Sequence, residues 1–244
     1  MSELESLEKR IRERFVKAFA TYRLLCDDDR VLVGLSGGKD SLCLLEMLGR
    51  RARIHHPRFS VEAIHVRVEN VDYLTSTAYL ESFCADLGVP LHIVTTSFYE
   101  GGGDGRERPP CFLCSWNRRK QMFNLAQQLG CNKIALGHHH DDLLVTALMN
   151  LFFQSRFETM RPLMQMDKMP LQIIRPLCLV DEKDIARYAE LRGYEKQEKL
   201  CPYENDSQRT AMQRLLADIT SVSSETRHSL WSALKREGKL GTAN

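Results

Sequence analysis

The segment that most limits how this chain can fold is a short apolar run, residues 31–35, that ends at Ser36-Gly37-Gly38-Lys39-Asp40-Ser41 and is followed by Leu44, Leu45 and Leu48 at helical spacing. The pattern reads as strand, glycine loop, helix. In such a unit the backbone N–H groups of the loop and the positive end of the helix dipole converge on an anion; the glycines let the backbone approach it, and Lys39 adds a full charge. The spacing excludes the Walker loop, which puts four residues between its first glycine and a Gly-Lys pair. A tight turn using glycine for geometry alone is the bland alternative.

The rest of the chain repeats the alternation. Strands are expected at 61–68, 91–95 and 133–136, with a last one at 171–174, and helices at 75–87 and 116–129. A further helix, opened by Asp141-Asp142, is expected to bury Leu144, Leu148 and Leu151. Strands alternating with helices imply an α/β fold with a parallel, Rossmann-like sheet. Ahead of it, Leu4, Leu7, Ile11, Phe15, Phe19 and Tyr22 recur at three- and four-residue steps, the pattern of an amphipathic helix. Behind it the chain reads as a helical tail, with stretches near 182–192, 207–219 and 224–235. The expected organisation is an N-terminal helix over 1–28, an α/β domain over 29–180 and a helical region over 181–244. Residues 100–110, with Gly101-Gly102-Gly103, Gly105 and Pro109-Pro110, read as a mobile loop.

At 244 residues the chain can bury one substantial core. A net charge of +2 permits an RNA partner without demanding one. The N-terminus is charged from its third residue, and no apolar run is long enough to span a bilayer, so a cytoplasmic, membrane-free protein is expected. In that reducing compartment the eight cysteines are read as core, catalyst or metal ligand rather than as a disulfide framework.

Cys111 and Cys114 form a C-x-x-C after the glycine-rich stretch, and Cys201 lies in Lys199-Leu200-Cys201-Pro202. A structural zinc would need a fourth ligand, which a nearby histidine could supply. A thioredoxin-like pair usually opens a helix after a strand, whereas this pair follows Pro-Pro in a loop. Three cysteines on a cubane cluster would leave one iron without a protein ligand, the open position that sulfur delivery needs. Cys26, Cys43, Cys84, Cys131 and Cys178 fall in or beside apolar stretches and are read as core, with Cys178 kept open as a site residue.

Gly137-His138-His139-His140-Asp141-Asp142 sits where a strand gives way to a helix, the crevice in which open α/β sheets bind ligands. Consecutive histidines at a helix start point in different directions, which argues against a separate metal site, and Asp in the first turn is also a plain capping choice. Arg118, Arg119 and Lys120 could hold RNA phosphates or form a solvated helix face.

Ser36 to Ser41 matches the pyrophosphate-binding loop of the PP-loop ATPases. Together with Cys111-Phe112-Leu113-Cys114 followed by Arg118-Arg119, the 137–142 segment, Arg175-Pro176-Leu177 and Lys183-Asp184-Ile185, it resembles the tRNA 2-thiocytidine synthetases, from the first strand to Cys201. Cys201 has no second cysteine completing a C-x-x-C, a departure from the family pattern. The zinc-finger cysteine pairs of related 2-thiouridine enzymes are missing too, which favours the thiocytidine branch or a divergent relative.

The resemblance implies an adenine nucleotide alpha hydrolase-like sheet and ATP split between its α- and β-phosphates, with AMP going to the C2 oxygen of a tRNA cytidine. ATP would be held by Ser36, Gly37, Gly38, Lys39, Asp40, Ser41, Gly137 and His138, with Lys39, Asp40 and Asp141 catalytic and Mg²⁺ on Asp40. It also implies a [4Fe-4S] cluster on Cys111, Cys114 and Cys201, tRNA contacts from Arg118, Arg119 and Lys120, and a sulfur donor such as a cysteine desulfurase. A homodimer is an allowed assembly. A persulfide on one cysteine is the version without iron. An adenylating ligase without sulfur chemistry and a zinc-stabilised RNA-binding module are the rival functions.

Overall fold

The computed structural model describes residues 2–54, 56–69, 71–97, 110–167, 169–200 and 208–241, without the side chains of 199 and 200. In chain order the first half runs α1 (Glu3–Tyr22), β1 (Asp29–Gly34), α2 (Lys39–Ala52), β2 (Phe59–Val68), β3 (Asp72–Tyr73), α3 (Ala78–Leu87), β4 (Leu91–Thr96) and α4 (Pro110–Gln128). The second half runs β5 (Lys133–Ala135), α5 (His140–Gln154), β6 (Leu163–Gln165), β7 (Gln172–Ile174), α6 (Glu182–Arg192), β8 (Lys199–Leu200), α7 (Gln208–Val222) and α8 (Thr226–Arg236).

Six strands form the main sheet in the order β4-β2-β1-β5-β7-β6. The first five are parallel as expected; the edge strand β6 is antiparallel to β7, with Leu163 opposite Ile174. Three residues are too few to show a strand period, so β6 leaves no sequence signature. The chain leaves β1 toward β2 on one side and later returns to place β5 on the other. The carboxyl ends of β1 and β5 therefore flank a topological switch point, the crevice where open α/β sheets hold ligands.

Alternation along β1 assigns the two faces. Val31 and Val33 join the large core with α1, α2, α3, α5 and α6, while Leu32 joins a smaller core with Ile64, Val66, Ile134 and Ala126 of α4. Most helices thus crowd one face of the sheet, and α4 packs on the other. The N-terminal helix starts with a capping box between Ser2 and Glu5 and buries Leu7, Ile11 and Phe15. A fully buried carboxylate, Glu46 of α2, receives Arg192, Arg50 and the Tyr194 hydroxyl, fastening α2 to the end of α6.

Two expected burials differ. Leu151 is 45% exposed, because α5 buries Leu143, Leu144, Val145 and Ala147 in its first half and then runs clear of the core. Cys26 is exposed in the turn before β1, where its N–H donates to Asp29; Cys43, Cys84, Cys131 and Cys178 are buried as expected. Among the described residues no helix is long and apolar enough to cross a membrane.

Candidate active site

Strand β1 delivers the loop to the switch point. Gly37 has φ +81°, in the left-handed region, and a Cβ there would overlap Gln197, whose Cγ lies 2.2 Å from that position. Gly38 caps α2 without a side-chain acceptor, so the first-turn N–H groups of this helix receive no side-chain cap. Ser36 and Ser41 brace the loop from inside: their hydroxyls lie 3.0 Å apart, and Ser41 Oγ donates to the Gly38 carbonyl at 2.9 Å.

Lys39 Nζ lies 3.3 Å from Asp40 Oδ1 and 3.1 Å from Glu182 Oε1 on α6. Burial alone would lower the pKa of this ammonium, but Asp40 and then Glu182 outweigh it and hold it above the ordinary value. Asp40 Oδ1 is enclosed and accepts no hydrogen bond, with His139 Nε2 3.8 Å away. An enclosed carboxylate oxygen with spare lone pairs suits a hard cation such as Mg²⁺.

Strand β5 brings 137–142 against this loop. A Cβ on Gly137 would lie 3.1 Å from the backbone C and O of Asp40 and from Ser41 N, so glycine is what lets the two segments touch. The three histidines diverge, as expected. His138 Nδ1 accepts from Arg175 Nε at 3.3 Å, leaving Nε2 to carry the proton of the neutral ring. Burial, then the Arg175 charge, pushes its pKa down to about 4. His139 lies 3.4 Å from Asp142 and packs toward Asp40. His140 stacks on Trp231 at 4.6 Å, and burial takes its pKa to about 4 against the opposing pull of Asp181.

Asp141 and Asp142 have structural partners. Asp141 accepts from Glu182 N at 2.9 Å and meets Arg227; Asp142 accepts from His139 N at 3.0 Å, closing a capping box, and meets Arg209. His140, Asp141 and Asp181 could share a cation, yet Arg14 already pairs with Asp181 at 2.5 Å. Beside Lys39 a hollow of about 330 Å³ opens between Gly38, Asp40, Ala189, Tyr194 and Lys196.

The cysteine pair is not in a loop. Helix α4 begins at Pro110, six residues earlier than expected, because proline with its fixed φ and missing N–H suits a first helical position. Cys111 is exposed and Cys114 half-buried, three residues apart on neighbouring turns at the start of α4. The pair thus opens a helix, as thioredoxin-like dithiols do, but residues 97–109 separate that helix from β4, so it does not follow a strand directly. The glycine-rich stretch at 100–109 and Cys201 lie outside the described residues.

The chain before Cys201 is described. Gln197 N donates to the Gly37 carbonyl at 3.0 Å, Leu74 N to Glu198 at 2.9 Å, and Leu200 pairs with Asp72 across β3–β8. Next to Asp72, Tyr73 accepts from Arg118 at 2.9 Å and packs with Cys114 around Val68, Val71 and Leu113. One strap thus joins the phosphate loop, the residue before Cys201 and the cysteine helix. Cys201 is four residue steps beyond Gln197 in the sequence, a reach of at most about 14 Å. Of the three expected RNA contacts, Arg118 turns inward to Tyr73, whereas Arg119 and Lys120 face solvent. Glu182, Gln197, Arg209, Arg227 and Tyr73 were not expected at the site; each arrives by tertiary contact without a local motif.

A profile of the PP-loop domain family matches residues 5–217, beyond the span from first strand to Cys201. The chain is 34% identical over 219 residues to a tRNA-cytidine(32) 2-sulfurtransferase of Cellvibrio japonicus, covering 88% of this chain and 71% of that protein. It is 35% identical over 226 residues to the protein of that name from Methylococcus capsulatus, covering 88% and 75%. Its backbone is similar to that of the U34-tRNA thiolase NcsA from Methanococcus maripaludis, solved with its [4Fe-4S] cluster: TM-score 0.75, 22% identity, 96% of this chain and 79% of that one, a likeness of fold.

Proposed function

The chain belongs to the PP-loop family and, within it, to the tRNA-cytidine(32) 2-sulfurtransferases, and on that premise we propose that it uses ATP to replace the C2 oxygen of a tRNA cytidine with sulfur. The observation that carries this reading is the convergence at one crevice. Gly37 and Gly137 bring the phosphate loop and the 137–142 segment together, and the strap from Gly37 runs on to the residue before Cys201.

In the first step the C2 oxygen attacks the α-phosphorus of ATP and the bond to the β-phosphate bridge breaks, releasing pyrophosphate. The first-turn N–H groups of α2 and the Lys39 ammonium balance the charge gathering on pyrophosphate. Glu182 holds Lys39 in place beforehand, and the Asp40 carboxylate would hold Mg²⁺. Neutral His138, fixed by Arg175, offers an N–H without adding charge. Asp141 ties the starts of α5 and α6 together, orienting this wall of the site through Arg227 and the Glu182 amide.

In the second step sulfur bonds to C2, the C2–O bond breaks and AMP leaves. The donor set fits an iron–sulfur group: two thiols one turn apart at a positive helix end, with Cys201 next after a paired residue. A [4Fe-4S] cluster held by Cys111, Cys114 and Cys201 would supply an iron position free for sulfur. The placement of Cys111 and Cys114 at the start of a helix favours a second version, in which one carries a persulfide and another resolves it, no iron being needed. We place the reaction in the reducing cytoplasm with a cysteine desulfurase as sulfur donor.

The test is metal analysis of anaerobically purified protein, wild type beside Cys111→Ala, Cys114→Ala and Cys201→Ala. Iron and sulfide lost in all three variants support the cluster. Active metal-free protein favours the persulfide, and stoichiometric zinc without iron contradicts both.

A further inference from the structure

Helix α4 covers its face of the sheet with one side and turns the other to solvent. On that outer side Phe112, Trp116 and Arg119 follow at four- and three-residue steps, with the two aromatics 44% and 49% exposed. The Lys120 ammonium lies 5.4 Å from the centre of the Trp116 ring. The helix carries three cations and no acidic residue over its 19 positions. Cys111 lies about 8 Å from Trp116 along the axis but about 140° around it, so the indole and the thiols occupy different faces of the same helix. A half-exposed tryptophan with two cations around it on an acid-free helix has the chemistry of a site where unpaired bases stack and phosphates are neutralised.

We propose that Trp116, flanked by Arg119 and Lys120, is the stacking platform for an unpaired base of the RNA loop that carries the cytidine. The inference rests on the RNA-thiolation reading and adds to it the residue that holds the RNA loop open. A base is modified only when unstacked from its neighbours, and a ring that takes over that stacking offsets the loss. Lys120 moves from the ring face to a phosphate as the base arrives. Arg118, donating to Tyr73, takes no part in RNA contact and positions α4 against β3. Stacking on an indole reads shape rather than sequence, so this surface prefers loops over duplexes without naming a base.

The experiment is fluorescence anisotropy of the full chain titrated against a labelled anticodon stem-loop and against a blunt RNA duplex of equal length. Trp116→Ala is expected to weaken stem-loop binding by about 5- to 100-fold, from the usual worth of one stacked base, and to leave duplex binding within about twofold. Trp116→Phe restores most of the loss, as a packing defect would not allow. Trp116→Ala protein that binds the stem-loop like wild type, or loses both RNAs equally, overturns the platform while leaving thiolation standing. The same protein with intact RNA affinity but failed sulfur uptake from a donor protein also overturns it and makes the patch a protein-docking surface. Wild-type chain that binds neither RNA sinks both the platform and the reading beneath it.

Discussion

Lys39 and Gly137 show how narrowly single residues define this site. Lys39 already sits between two carboxylates, so its charge is in place before ATP arrives and needs no reorganisation when pyrophosphate leaves. Lys39→Ala should lower pyrophosphate release at saturating ATP by about 10²- to 10³-fold, the usual cost of deleting one preorganised donor. Gly137 does its work by lacking a side chain. Adding a methyl group 3.1 Å from the Asp40 backbone should cost about 1–3 kcal/mol in urea unfolding and push the phosphate loop out of register. Gly137→Ala that keeps wild-type stability and turnover would contradict the close approach. The phosphate loop was legible in the sequence because its six residues are contiguous and act through their own backbone. Glu182 was not legible as the partner of Lys39, since 143 positions separate them and acidic residues at a helix start are ordinary caps.

Elements decide what the sequence hides. Pro110 reads as a breaker, yet it is the first residue of α4, and this moves the C-x-x-C from loop to helix and fixes its two thiols on neighbouring turns. Strands β6 and β8, of three and two residues, exist through pairing and carry no period of their own. Without β8 the path from the phosphate loop to Cys201 is invisible, although both ends of it are conspicuous motifs. Element α2 is fixed from below by Glu46, whose carboxylate is fully buried among Arg50, Arg192 and Tyr194. Glu46→Ala leaves Arg192 and the Tyr194 hydroxyl without their acceptor, while Arg50 keeps Glu8, and should destabilise the protein by roughly 1–3 kcal/mol in denaturant titration, with hydrogen exchange rising at α2 and α6 together. Exchange confined to one of the two helices would contradict that account.

At the scale of the whole molecule the six-stranded sheet holds the chemistry at its switch point, and the protonation of buried groups there governs acid tolerance. His138 and His140, with pKa values near 4, stay neutral in the fold, while in the unfolded chain they take protons below about 6.5. The unfolded state binds more protons between those limits, so stability should fall as pH drops from about 6.5 toward 4, by roughly 2–3 kcal/mol per pH unit for the pair. Replacing both histidines by glutamine should flatten that slope in urea midpoints; an unchanged slope would locate the acid sensitivity elsewhere. The central claim is that ATP cleavage at the α-phosphate and sulfur insertion into RNA are one reaction of this chain. The most direct test is anaerobic incubation with tRNA, ATP, Mg²⁺ and a cysteine desulfurase, followed by nucleoside mass spectrometry and quantification of AMP and pyrophosphate. The account predicts 2-thiocytidine formed in step with equal AMP and pyrophosphate, whereas ATP consumed without sulfur in the RNA, or released as ADP and phosphate, would contradict it.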